Sequence, residues 1–149
     1  MGKQSEWLAA YVEKCMRESL GDDADFLHFC GDVIAYRSGT AACIVRVEPG
    51  EPAMVRVLAK AVLGVRDSAK LLRELNEVNT RSLVANTWWN EGEVIVECSL
   101  FAEAVGVETL EQACLHVNDV ANDIGVGMAA MYDGATPYPP FANDSEDAA

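Results

Sequence analysis

His28 and Cys30 stand two residues apart, the spacing at which side chains leave one face of a strand, and an imidazole beside a thiol is the beginning of a cysteine nucleophile. A working thiol also needs a third group to orient the imidazole, and no Asp or Asn nearby is placed for that role. His116, Asp119 and Asp123 follow an i, i+3, i+7 spacing that puts three metal-type ligands on one helical face. Asn118 and Asn122 belong to the same stretch, which reads as a solvated stripe. Gly125-Val126-Gly127 lacks both the preceding strand and the third glycine of a dinucleotide fingerprint. No catalytic residue, metal site or cofactor is therefore assigned, and the chain is read as non-enzymatic. A small metal- or thiol-dependent enzyme is the alternative from another class.

The stretch LLRELNEVNT, residues 71–80, holds two amides where a helix has little use for them. Leu71, Leu72, Leu75 and Val78 mark the apolar face, and Asn79 falls beside it while Asn76 lies one turn earlier. A buried amide must find partners or it costs about 1–3 kcal/mol. Asn79 sits where the helix hands the chain to a strand. Its amide can satisfy carbonyls at the helix end or backbone groups at a sheet margin, so Leu75, Asn76 and Asn79 are read as a structural motif.

The elements that must position these groups follow from periodicity. Residues Ser5 to Leu20 form an amphipathic helix with Trp7, Leu8, Tyr11, Val12, Cys15, Met16 and Ser19 on one face, and GDDAD is a loop. Strand-like runs at Asp32–Ser38, Ala42–Glu48 and Ala53–Val62 are joined by short turns, which makes them antiparallel. Asp67 or Ser68 caps the second helix, which runs to about Asn79. Leu83–Trp89 and Glu93–Phe101 form a second hairpin through NEG, and Thr109 caps a last helix that ends near Tyr132–Gly134.

Alternation assigns Cys43, Val45, Val47, Val55, Val57 and Ala59 to the core. The opposite face would carry Ile44, Arg46, Met54, Arg56, Leu58 and Lys60, an apolar and basic mixture unlike a plain solvated sheet. Trp88 and Trp89 are adjacent on a strand and point to opposite faces, so one enters the core and the other lies on the open face or in an interface. These eight residues are the candidate face for a peptide, a partner or a second copy of the chain. Self-association through the face or a sheet edge is expected, with basic strands of one subunit meeting the acidic half of the other.

Charge narrows the partners. All eleven Lys and Arg lie between Lys3 and Arg81, against twelve acids there, whereas residues 82–149 carry twelve acids and no base. A net charge of −13 opposes binding to nucleic-acid phosphate, which depends on Lys and Arg displacing counterions. No apolar run approaches the ~18 residues of a membrane span, and the first residues lack a signal peptide's apolar stretch, so the expected location is the cytoplasm. Five scattered cysteines without a CxxC pair read as reduced core residues. Residues 1–133 are expected to form one domain, followed by a Pro-rich acidic tail over 134–149 that is mobile or laid over the surface.

The order α-β-β-β-α-β-β-α, with MVRVLAKAVLGV leading into LLRELNEVN, then GEVIVECSL and TLEQACLHVNDVANDIG, resembles the YbjN family and its relatives with the type III secretion chaperone-like (CesT-like) fold. The resemblance covers roughly residues 32–132. It implies a two-layer α+β sandwich with a five-stranded antiparallel sheet, helices on one face, and homodimerisation. It also implies a chaperone-like module that binds a protein or peptide. The second reading is a YbjN-type signalling or stress-response regulator that binds a folded partner.

Overall fold

The computed structural model describes residues 3–140. Helix α1 (Lys3–Leu20) is followed by a 3-10 turn (Gly21–Phe26) and strands β1 (His28–Cys30), β2 (Val33–Ser38), β3 (Ala41–Glu48) and β4 (Met54–Val62). Helix α2 (Ala69–Arg81) leads to β5 (Asn86–Asn90) and β6 (Glu93–Phe101), and α3 (Val107–Met131) closes the domain. The six strands form one antiparallel sheet in the order β1-β2-β3-β4-β6-β5.

The expected sheet of five strands thus gains a sixth at its edge. β1 is three residues long, too short for alternation to mark it, and its partner β2 supplies the pairing. GDDAD coils into the 3-10 turn rather than an open loop. The fifth strand starts three residues later than Leu83. Ser82 Oγ accepts from the Ala85 N–H at 3.1 Å, a local turn that competes with extended pairing and leaves Leu83 fully exposed.

Side chains alternate as the strand period requires. Cys43, Val45, Val47, Val55, Val57 and Ala59 are buried beneath the helices, joined by Val94, Val96 and Cys98 of β6. Helix α3 contributes Leu110, Ala113, Cys114, Val117, Ala121, Ile124 and Met128 to that layer, α1 contributes Leu8, Val12, Cys15 and Met16, and α2 contributes Leu71, Leu75 and Val78. Trp7, grouped with one face of the amphipathic helix, is 64% exposed: it lies on the flank of the buried stripe and stacks on Tyr11 one turn away, centroids 5.3 Å apart. Gly125 is a packing residue of α3, since a Cβ there would stand 3.1 Å from the Ala61 carbonyl oxygen of β4.

Two polar side chains cap the helices and a third fastens α3 to the sheet. Ser68 is the N-cap of α2, accepting from Leu71 N–H at 3.1 Å. α3 begins at Val107, before the expected cap, and Thr109 Oγ1 reaches back to accept from the Gly106 N–H at 2.8 Å. Asn122 Oδ1 accepts from Thr40 N–H at 3.0 Å while its Nδ2 donates to the Ser38 carbonyl at 3.0 Å, so α3 holds the β2–β3 turn. After α3 the chain pairs Ala135 with Leu63, and Tyr138 N–H donates to the Thr40 carbonyl. The described part of the tail is therefore laid across the end of the sheet, and residues 141–149 lie outside the described residues.

Candidate functional site

Among the described residues, the helices lie on one side of the six-stranded sheet. On the other, register fixes which side chains stand together: Ile44 is opposite Leu58, Arg46 opposite Arg56, and Lys60 is followed across the sheet by Ile95 and Trp88. Ala42, Ile44, Arg46, Arg56, Leu58, Lys60, Trp88 and Ile95 line an open hollow of about 300 Å³. Met54 lies farther along the same face, opposite Phe101. Trp88 is thus the tryptophan of the open face. Trp89 turns to the helical side, where its Nε1 donates to the Val65 carbonyl at 2.9 Å.

Like charges directly opposite on neighbouring strands repel, so Arg46 and Arg56 need anions between them. Glu48 Oε1 supplies one, meeting Arg46 Nε at 2.7 Å and Arg56 Nη1 at 3.2 Å. Glu97 pairs with Arg56 from β6, and Glu93 meets Lys60 Nζ at 3.0 Å. Burial alone would push the Glu48 carboxyl up. The hydrogen bonds and charges of Arg56 and Arg46 outweigh it and hold Glu48 below the usual carboxylate range. The acids that meet these bases belong to the same chain, and two of them, Glu93 and Glu97, come from its acidic second half. The face is an apolar centre of Ile44, Leu58, Ile95 and Trp88 within a lattice of ion pairs.

Ile95, Glu48, Glu93 and Glu97 escaped the sequence reading of this face. The alternation in GEVIVECSL carried the signal, because Glu93, Ile95 and Glu97 share one side of β6. The other candidates stand apart from it. Asn76 is exposed on α2. Asn79 is turned to the edge strand, where its Oδ1 accepts from Thr87 N–H at 2.7 Å and its Nδ2 donates to the Thr87 carbonyl at 3.1 Å. Leu75 is buried.

His28 and Cys30 share the strand β1 and are both exposed. His116, Asp119 and Asp123 are exposed on α3, whereas Asn118 and Asn122, expected on a solvated stripe, turn to the sheet. Asn118 Oδ1 accepts from Tyr36 Oη at 3.0 Å and from Cys43 Sγ at 3.3 Å. Among the described residues no three His, Cys, Asp or Glu side chains are grouped to hold a metal ion. Four cysteines are buried and Cys30 is exposed. Burial pushes the Cys43 thiol up to about 12 and the Cys114 thiol to about 11. Among the described residues no helix is long and apolar enough to cross a membrane.

The profile of one protein family, described as TY-Chap1, "T3SS (YopN, CesT) and YbjN peptide-binding chaperone 1", matches residues 6–140. The chain belongs to this family. Members of this peptide-binding chaperone family are binding modules, and in this member the sheet's uncovered face combines apolar side chains with ion-paired charges. The crystal structure of the ExsC–ExsE complex contains a chain that superposes with a TM-score of 0.61 at 17% identity, covering 78% of this chain and 92% of that one. That likeness shows the two-layer fold. The crystal structure of YbjN from E. coli, described as a putative transcription regulator, gives a TM-score of 0.49 at 18% identity, covering 83% of this chain and 95% of that one. No curated protein is a match for the sequence.

Proposed function

We propose that this member of the peptide-binding chaperone family is a non-catalytic cytoplasmic protein that holds an extended segment of a partner polypeptide on the open face of its sheet. The observation that carries the reading is the hollow between Ile44, Leu58, Ile95 and Trp88, framed by the Glu48–Arg56–Glu97 and Lys60–Glu93 pairs. An apolar centre anchors side chains of a bound segment, and a frame of paired charges offers hydrogen bonds to its backbone without leaving a lone buried charge.

The edges of the sheet support the face over strand addition. Asn79 occupies both backbone groups of Thr87 on β5, and β1 at the other edge is three residues long. Homodimerisation is part of the same proposal. Leu72, Leu83, Val84, Leu115, Val126 and Met131 are the exposed large apolar residues of α2, α3 and the loop after α2. Pairing there covers them and leaves the sheet face open to its segment.

The test starts from linear peptides selected for binding by display. Trp88→Ala should weaken the selected peptide by about tenfold or more, as truncation of a central aromatic anchor does, with the thermal transition retained. Undiminished affinity in a folded Trp88→Ala variant would exclude the face. Leu83→Glu with Leu115→Glu should shift sedimentation toward monomer while peptide affinity persists.

A further inference from the structure

At one end of the sheet lies a second and larger hollow, about 570 Å³, bounded by the first turns of α1, the β3–β4 turn and the chain after β6. Its size is that of a small-ligand or side-chain site. Trp7 and Tyr11 form one wall, stacked at 8° between ring planes, and Phe101, 54% exposed, stands in another. Ring faces left in water are costly to solvate and attract cations through their quadrupoles.

The charged groups described around these rings are of one sign. Glu51 and Glu103 line the hollow, and among the described residues no Lys, Arg or His does. Both carboxylates are exposed, and no ion pair involving either is among those of the described residues. This separates the hollow from the sheet face, where each of Arg46, Arg56 and Lys60 meets a carboxylate of the same chain. The chain's net charge of −13 adds a long-range field that draws cations toward any such opening.

We infer that this hollow is a binding site for an arginine side chain of a polypeptide partner, its guanidinium stacked on the Trp7–Tyr11 wall and paired with Glu51 and Glu103. Arginine fits better than lysine because a planar guanidinium stacks on rings and donates in its own plane to carboxylates at the same time. The hollow does not use the open sheet face, so it stands or falls separately from the reading above.

The test uses the full chain and a fluorescein-labelled peptide, acetyl-Ala-Arg-Leu-Arg-Ala-amide, with a twin carrying citrulline in place of both arginines. Citrulline keeps the shape and removes the charge. Fluorescence polarisation at 0.15 M salt should show the arginine peptide binding about tenfold or more tightly than its twin. Glu51→Gln with Glu103→Gln should erase that preference, and Trp7→Ala should weaken the arginine peptide by a similar factor. Circular dichroism checks that both variants remain folded. Trp88→Ala should leave the preference intact. Equal binding of the two peptides, or a preference that survives Glu51→Gln with Glu103→Gln, would overturn the inference. So would a preference lost in Trp88→Ala and kept in the carboxylate variant, because that result places the arginine on the sheet face.

Discussion

Asn79 on α2 pairs with Thr87 on β5 as a neighbouring strand would: its Oδ1 accepts from the Thr87 N–H at 2.7 Å and its Nδ2 donates to the Thr87 carbonyl at 3.1 Å. The Thr87 hydroxyl completes the junction, within 3.0 Å of both Asn79 Oδ1 and the Leu75 carbonyl. One helical side chain thereby closes the edge of the sheet and fixes how α2 lies on it. The asparagine that looked out of place in a leucine-rich helix is the link between the two layers at that edge.

Asn79→Ala should therefore lower stability by about 1–3 kcal/mol, because Thr87 is buried and its backbone groups lose their partners. Asn76→Ala, at an exposed position of the same helix, should stay within about 0.5 kcal/mol of the parent. Urea denaturation midpoints of the two variants check the contrast. A cost for Asn76 equal to that for Asn79 would place the amide's role in the helix rather than at the junction.

Gly39 tests the other end of the sheet. Its φ is +58°, and a Cβ there would stand 2.2 Å from Asn122 Oδ1, the atom that holds the Thr40 N–H. Gly31 has a similar φ of +64° with nothing within 4 Å of the added carbon. Both alanine variants pay for the left-handed backbone, about 1 kcal/mol, and Gly39→Ala should lose at least about another 1 kcal/mol through the displaced Asn122. Thermal melts of the pair measure the difference.

Thiol chemistry should separate Cys30 from the rest. Iodoacetamide at pH 8 should label one cysteine of the native protein quickly and all five in denaturant, since Cys15, Cys43, Cys98 and Cys114 are buried. Burial also holds Cys43 and Cys114 protonated up to about 12 and about 11. Mass spectrometry of the labelled peptides reads the outcome.

The ion pairs of the sheet face predict an acid-side change. Glu48 is held below its ordinary value of 4.5, so its stabilisation is present above that value and is lost as pH falls from about 4.5 through the lower folded value. The stability gap between the parent and Glu48→Gln should be widest near neutral pH and shrink below about pH 4.5. A gap that is constant with pH would show that the carboxylate's charge does not matter there.

How much of this was legible follows the strength of each local signal. The alternation of β3 and β4 placed Cys43, Val45, Val47, Val55, Val57 and Ala59 on the core face and Ile44, Arg46, Arg56, Leu58 and Lys60 on the other, because a period of two splits each strand into two sets and the wholly apolar set is the one buried. β1 was invisible because three residues carry no period, and Leu83 was misplaced in a strand because the Ser82 turn is a single side-chain hydrogen bond. The exposure of Trp7 was not legible for a different reason: helical periodicity names a face about 100° wide but not which flank a neighbouring element covers. The ion pairs of the open face depend on which strands are neighbours. That β6 lies between β4 and β5 brings Glu93 and Glu97 to Lys60 and Arg56, and no local pattern records that order.

The central claim, that the open face holds the partner segment, is tested most directly by methyl and indole NMR of the full chain titrated with a display-selected peptide. The account predicts that the largest shifts fall on the methyls of Ile44, Leu58 and Ile95 and on the Trp88 indole N–H, the groups that line the hollow. Unmoved signals at those four residues, with the shifts gathered instead on Val84, Leu115 and Met131 of the helical side, would contradict it.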